Sequence, residues 1–257
     1  MSEAYLKAVV NLDELQKKTN FRRIEPCDTL KDVIDLIWII EWNFSPGEVF
    51  KQKLFPNPNS NIAIYSEGIY FEGPTKSLFE YEMAGSGRLI GFKFKLGGFN
   101  SFVDLNMGAL TNQKIEVNEV LYHEKWAEVL KLNEISTQVA CVEDILNSFE
   151  PKRNKEAKLV EEIVKYIRLN RHIVRVGLIS EQFHMSSRTL QRLFNKYVGV
   201  TPKLVIRVFR LQELKEEIKS YDHLDLADLA LKLEYSDQSH MINDFKAFTG
   251  VAPLMFK

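Results

Sequence analysis

The chain has 257 residues, 45% hydrophobic and 27% charged, with a formal net charge of −1, which is enough to bury a core in one large domain or two ordinary ones, and two are expected. No run approaches the roughly 18 uninterrupted apolar residues of a membrane helix, and "MSEAYLKAVVNLDELQKK" carries acids where a signal peptide carries bases. Cys27 and Cys141 lie too far apart in sequence for a disulfide framework or a metal-type pair, so the composition points to a cytoplasmic protein with reduced thiols, each cysteine a small core residue.

After a helical start at "SEAYLKAVVNLDELQKK", short apolar runs alternate with turn formers: "IDLIWIIEWNF", "FKQKLF", "NIAIY", "GIYFEG", "FEYEM" and "GRLIGFKFKLGG", separated by "SPGE", "PNPNSN" and "SEG". This spacing predicts an antiparallel β-sandwich or small barrel over residues 1–150. Helices return in "NSFVDLN" and around Trp126 and Ile145. "GSGRLIG" lacks the strand–loop–helix setting of a phosphate loop and reads as a hairpin turn.

A metal centre needs several donors converging on one point, and residues 1–151 contain one histidine, His123. His172, His184, His223 and His240 are dispersed through the second half without metal spacing. With no Gly-x-Ser-x-Gly elbow or Cys/His nucleophile pair, neither an enzyme nor a cofactor is expected. Two roles remain for this half. One is a pocket for a small effector, with Trp38, Trp42, Phe55, Tyr65, Phe71 and Phe94 as candidate lining residues; plain core is the alternative for each. The other is homodimerisation through the helices between Leu121 and Phe149.

Residues 1–151 hold 15 Lys+Arg against 22 Asp+Glu, and residues 152–257 hold 19 against 13, so the halves carry −7 and +6. A basic half on an acidic one suits a segment that approaches phosphate. Within that half, "VRVGLISEQFHM" predicts a short helix burying Val176, Ile179 and Phe183. "SSRTLQRLFNKYVGVTP" predicts a second, capped by Ser186, with Leu190, Leu193, Phe194 and Tyr197 inward and Ser187, Arg188, Gln191, Arg192 and Asn195 outward. Gly199 supplies the stop and Pro202 the restart. Two short helices at a tight turn make a helix-turn-helix.

"PKLVIRVFRLQELKEEIKSYD" then predicts one amphipathic linker helix with Leu204, Val208, Leu211 and Leu214 at helical spacing. Beyond it the pattern recurs. "LADLALKLEY" is a first helix, Asp237 a cap, Met241, Phe245 and Phe248 a buried face, Gly250 a stop and Pro253 a restart. Ser180 pairs with Ala230 at a spacing of fifty and the caps at fifty-one, so one residue is added at the second turn.

Residues from about 155 to 257 resemble the DNA-binding domain of the AraC/XylS family of transcription regulators, on "SSRTLQRLFNKYVGVTP", "RLQELK" and "YSDQSHMINDFKAFTGVAP". The first half is similar to the cupin-like domains that such regulators carry. The resemblance implies an α+β multidomain chain, with residues 1–150 a sensor or dimerisation domain and 151–257 an all-α double helix-turn-helix domain. It also implies that double-stranded DNA is the partner, with RNA polymerase a second partner if the protein is an activator, and that each recognition helix enters a major groove.

On the first helix the resemblance presents Arg188, Thr189, Gln191 and Arg192, and on the second Gln238, Ser239, His240 and Asn243. Arginines four apart share a helix face and suit guanine; Gln191 or Gln238 suits adenine. Lys196, Lys203, Arg207 and Arg210 are candidate phosphate contacts, with solvated surface charge as the alternative for each lysine. The chain departs from the family at His184 and Glu234, where Gly is common, and at Asn243-Asp244, which replaces a more basic pair. Asp244 is expected to repel DNA and weaken the second helix. Two other classes fit less well. A DNA-alkyl repair enzyme needs a metal-bound cysteine cluster, and a protein-interaction module that has lost DNA binding would give no steep salt dependence.

Overall fold

The computed structural model describes residues 9–170, 172–220 and 225–255. The part of the expected N-terminal helix before Val9 lies outside them; helix α1 (Leu12–Lys18) follows, capped by Asn11. The strands are β1 (Asn20–Ile24), β2 (Ile34–Asn43), β3 (Val49–Leu54), β4 (Asn61–Ile64), β5 (Ile69–Glu72), β6 (Phe79–Ala84), β7 (Ser86–Phe94) and β8 (Lys114–Glu116). They form a six-stranded sheet in the order β1-β2-β7-β4-β5-β8 and a two-stranded sheet of β3 and β6, all pairs antiparallel.

The expected hairpin at "GSGRLIG" is not a hairpin. Asn43 pairs with Ser86 and, further on, Val49 pairs with Ala84, so β2–β3 and β6–β7 are two long strands of one ribbon. Residues 44–48 bulge opposite the single residue Gly85, with Phe44 N–H bonded to Gly85 O at 2.8 Å. The extra length on one side bends the ribbon sharply and folds its end over the larger sheet.

Side chains alternate across β2, so Ile37 and Ile39 enter one core while Leu36, Trp38 and Ile40 enter another. The first core is covered by α2 (Val117–Val120), α3 (Trp126–Val129) and α4 (Ile135–Ser148), whose Val139, Val142, Ile145 and Leu146 pack on Ile62, Phe71 and Phe92. The second lies under the folded-over β3–β6 pair, with Phe50 and Met83 against Trp38 and Leu89. Both faces of β2 are covered, which is why its sequence reads as a nearly continuous apolar run. "NSFVDLN" makes only a single 3-10 turn, Phe99–Ser101, because the chain stops there to wedge Phe99 between Phe71 and Phe94 at ring distances of 4.3 and 5.1 Å.

The helical part comprises α5 (Lys155–Leu169), α6 (Val176–Gln182), α7 (Ser187–Tyr197), α8 (Pro202–Ser220), α9 (Leu226–Lys232) and α10 (Gln238–Thr249). Helix α8 is not the one-faced amphipathic linker expected. Val205, Ile206, Val208, Phe209, Leu211, Leu214 and Ile218 are all buried while Leu204 is only half-buried, because α8 is surrounded by both helical pairs and by the β-rich part. Val10, Phe55 and Leu96 from that part join the helical core. Its polar residues pair rather than meet water: buried Lys215 donates to Val9 O at 2.6 Å, and Arg153 donates to Leu96 O at 2.8 Å.

Trp38 lies opposite Gly91 and Trp42 opposite Gly87 in the β2–β7 register. A Cβ at Gly91 would come within 2.1 Å of the Trp38 ring. Gly91→Ala is expected to lower stability by about 1–3 kcal/mol through overpacking, read as a fall in the midpoint of urea unfolding; an unchanged midpoint would mean that the indole has room to shift.

Candidate nucleic-acid interface

The two helical pairs, α6–α7 and α9–α10, are built alike in backbone detail. At the first turn Met185 N–H bonds to Ser180 O at 3.1 Å, and at the second Tyr235 N–H bonds to Ala230 O at 2.9 Å. His184 and Glu234, fifty positions apart, both sit in the left-handed region at φ +49° and +58°. The departures from Gly are thus real features of the turn: it demands a conformation that L-residues adopt at some cost. The residue added to the second turn is Ser236, since the spacing is fifty up to Tyr235 and fifty-one from the caps onward. Its hydroxyl lies 3.1 Å from both Asp237 Oδ2 and His240 Nδ1.

Each recognition helix starts on a side-chain cap. Ser186 Oγ accepts from Thr189 N–H at 3.1 Å, and Asp237 Oδ1 accepts from His240 N–H at 2.7 Å. That backbone bond, with the Ser236 hydroxyl, holds the Asp237 carboxyl below its ordinary value of 3.8. Gly199 and Gly250 end the helices at φ +77° and +80°.

In α7, Ser187, Arg188, Gln191 and Arg192 are exposed and Thr189 is half-buried; in α10, Gln238, Ser239, His240 and Asn243 are exposed. Arg188 and Lys203 have no ion-pair partner among the described residues. Arg192 bonds Glu156 Oε1 at 3.0 Å, and Tyr197 donates to the other oxygen at 2.9 Å. These contacts lower the Glu156 pKa. Lys196 pairs with Asp104 at 3.1 Å.

Three expectations are corrected. Asp244 does not stand on the exposed face of α10: its side chain is 11% exposed and pairs with Arg207 at 2.5 Å, and it accepts from Tyr235 OH at 3.2 Å. Its charge is therefore neutralised inside the unit rather than presented to a phosphate. Arg207 and Arg210 are correspondingly internal braces. Arg207 lies 4.1 Å from the Phe248 ring centroid. Arg210 stacks on Tyr235 at 3.8 Å and donates to the carbonyls of Leu233 and Glu234, capping the end of α9. No local pattern signals this pair, because 37 residues separate Arg207 from Asp244.

A second site lies between the large sheet and the folded-over ribbon, a cavity of about 400 Å³. Of the aromatic residues expected there, Trp38, Phe55 and Tyr65 line it, joined by Gln52, Asn61 and Glu72, which sequence reasoning missed. Phe71 and Phe94 do not line it; they face the opposite core around Phe99. Nor does Trp42, which packs edge-on against Tyr81 and donates to Ala84 O at 3.1 Å at the ribbon bend. Tyr65 OH donates to Glu72, and burial pushes both groups' pKa values upward.

The family model described as "Helix-turn-helix domain" matches residues 179–257. Residues 179–257 are therefore a helix-turn-helix domain by likeness to that model. A second model, for a domain of unknown function (DUF6597), matches residues 22–116. The HTH-type transcriptional activator AarP of Providencia stuartii is 34% identical over 68 residues, which are 26% of this chain and 50% of AarP; the match thus spans about half of that relative. ToxT from Vibrio cholerae, at 1.65 Å, covers 93% of this chain and 97% of its own at 12% identity and a TM-score of 0.40. The unsaturated fatty acid-bound ToxT from strain SCE256 covers 93% of each chain at 12% identity and a TM-score of 0.37. No helix among the described residues is long and apolar enough to cross a membrane.

Arg207→Ala leaves Asp244 without its ion-pair partner and is expected to cost about 1–2 kcal/mol of stability, at the low end because part of Arg207 faces solvent. It should leave the salt dependence of DNA binding unchanged. A flatter slope would return Arg207 to the phosphate contacts.

Proposed function

We propose that this protein is a sequence-specific DNA-binding transcription regulator of the AraC/XylS type that reads two successive major grooves with α7 and α10. In this reading residues 1–150 sense and residues 151–257 bind DNA. The carrying observation is the duplicated unit: two turns with a left-handed residue at the same position and the same hydrogen bonds, two side-chain caps, and two exposed polar faces held on one largely buried helix. A single helical hairpin would carry little weight, whereas matched pairs on a rigid spacer suit repeated grooves one helical turn apart.

Arg188 and Gln191 are the base readers of α7; Gln238, Ser239, His240 and Asn243 are those of α10. Lys203, exposed at the start of α8, contacts phosphate, and Lys196 does so once released from Asp104. The internal neutralisation of Asp244 removes the main reason to expect a weak second reader. The cavity takes a small effector, and Phe55 supports coupling because it lines the cavity and also packs in the helical core. Two copies joined through the 121–149 segment, where Tyr122 and Leu130 are exposed, would place paired readers on paired sites. AarP is by name an activator, and by likeness RNA polymerase is the further partner here.

Selection of bound duplexes from a random pool by the full chain, at two salt concentrations, tests the reading. Two enriched blocks about 10 base pairs apart are expected; enrichment of none at either salt sinks it. Arg188→Ala should lose about 1–3 kcal/mol of discrimination at one position. Lys203→Ala should instead weaken all sequences alike and reduce the log–log salt slope by about one unit.

A further inference from the structure

The last carbonyls of an α-helix have no partner within the helix and must find one elsewhere. In α7 the Phe194 carbonyl is closed locally by Val198 and Gly199 N–H, but the next three are closed by the β-rich part. Gly108 N–H donates to Asn195 O at 2.9 Å, Met107 N–H to Lys196 O at 3.0 Å and Gly97 N–H to Tyr197 O at 3.2 Å. Thr111 Oγ1 adds a bond to Gly199 O at 2.7 Å. The fit is close: a Cβ on Gly108 would come within 2.2 Å of Asn195 Oδ1. Helix α10, by contrast, ends on its own Gly250, whose N–H bonds to Lys246 O at 2.9 Å.

Side chains of the same loop reach onto the reading face. Asn195 lies seven residues, two turns, beyond Arg188 on the exposed stripe, and its Nδ2 donates to Asn106 Oδ1 at 3.2 Å. The Lys196 ammonium is 3.1 Å from Asp104, a carboxylate that is 87% exposed. A duplex lying along α7 would meet Asp104 where it needs a cation, with Lys196 already engaged.

We infer that the loop 104–111 sets and restrains the first reader alone: its backbone caps α7, and Asp104 competes with a DNA phosphate for Lys196. Asp104, Asn106 and Thr111 are positioning residues, acting through α7. This rests on the DNA-binding reading above and adds an asymmetry to it, since among the described residues no such loop caps the second reader. The restraint is electrostatic at Asp104, so removing that charge should improve binding, an outcome that a merely structural prop would not produce.

The test is equilibrium binding of the full chain to a selected duplex and to a random duplex across a salt series, with inorganic salt as the only variable. Asp104→Asn should bind both duplexes more tightly, by about fivefold at low salt. It should also steepen the log–log slope by about 0.9, the signature of one further phosphate neutralised. Asp104→Glu, which keeps the charge, should behave as the wild type, and adding Lys196→Ala to Asp104→Asn should cancel the gain. Equal affinity and slope for Asp104→Asn and wild type, at equal thermal stability, overturns the inference while leaving the regulator reading standing. Absence of salt-dependent binding by the wild type overturns both.

Discussion

The end of α7 depends on amides that belong to another part of the chain. Three successive carbonyls of the recognition helix are closed by Gly97, Met107 and Gly108, and a buried backbone group left unpaired costs about as much as a lost hydrogen bond. Much else follows from that contact. The first reader cannot rotate independently of the sheet, and α8, which starts five residues after α7, inherits its direction. Because α8 is largely buried and anchored by Lys215 to Val9, the second helical pair takes its angle from the same frame. The geometry of both reading faces is therefore fixed by packing that lies mostly outside them.

What the sequence disclosed was whatever is local. Caps at Ser186 and Asp237, stops at Gly199 and Gly250 and the inward faces of α7 and α10 are each written within a dozen residues, so they read directly. The runs that became β2 to β7 were legible for the same reason. Strand β1 was missed because its residues are mostly exposed and show no alternation; β8 was missed because three residues are too few to carry a pattern. The ribbon bend was misread as a hairpin, since "SPGE" and Gly85 look like turn chemistry and only the pairing reveals that the strands run on.

The sites divide along the same line. The exposed polar residues of both reading helices were identifiable from helical spacing. Which charges are spoken for was not, because the Arg207–Asp244 and Lys196–Asp104 pairs join residues far apart in sequence, and main-chain bonds such as Gly108 to Asn195 have no side-chain signature at all. The cavity was half legible. Alternation along β2 says that Ile37 and Trp38 face opposite ways, but not which face carries the folded-over ribbon.

The placement of the tryptophans has an experimental consequence. The chain's three, at positions 38, 42 and 126, all belong to the β-rich part, one on the cavity wall, one at the ribbon bend and one in the core beneath α4. The helical part contains none. Intrinsic emission is thus a reporter confined to the part that does not carry the two helical pairs, and a spectral change on adding a duplex would read out events away from α7 and α10, making an unlabelled protein its own gauge of communication between the two parts.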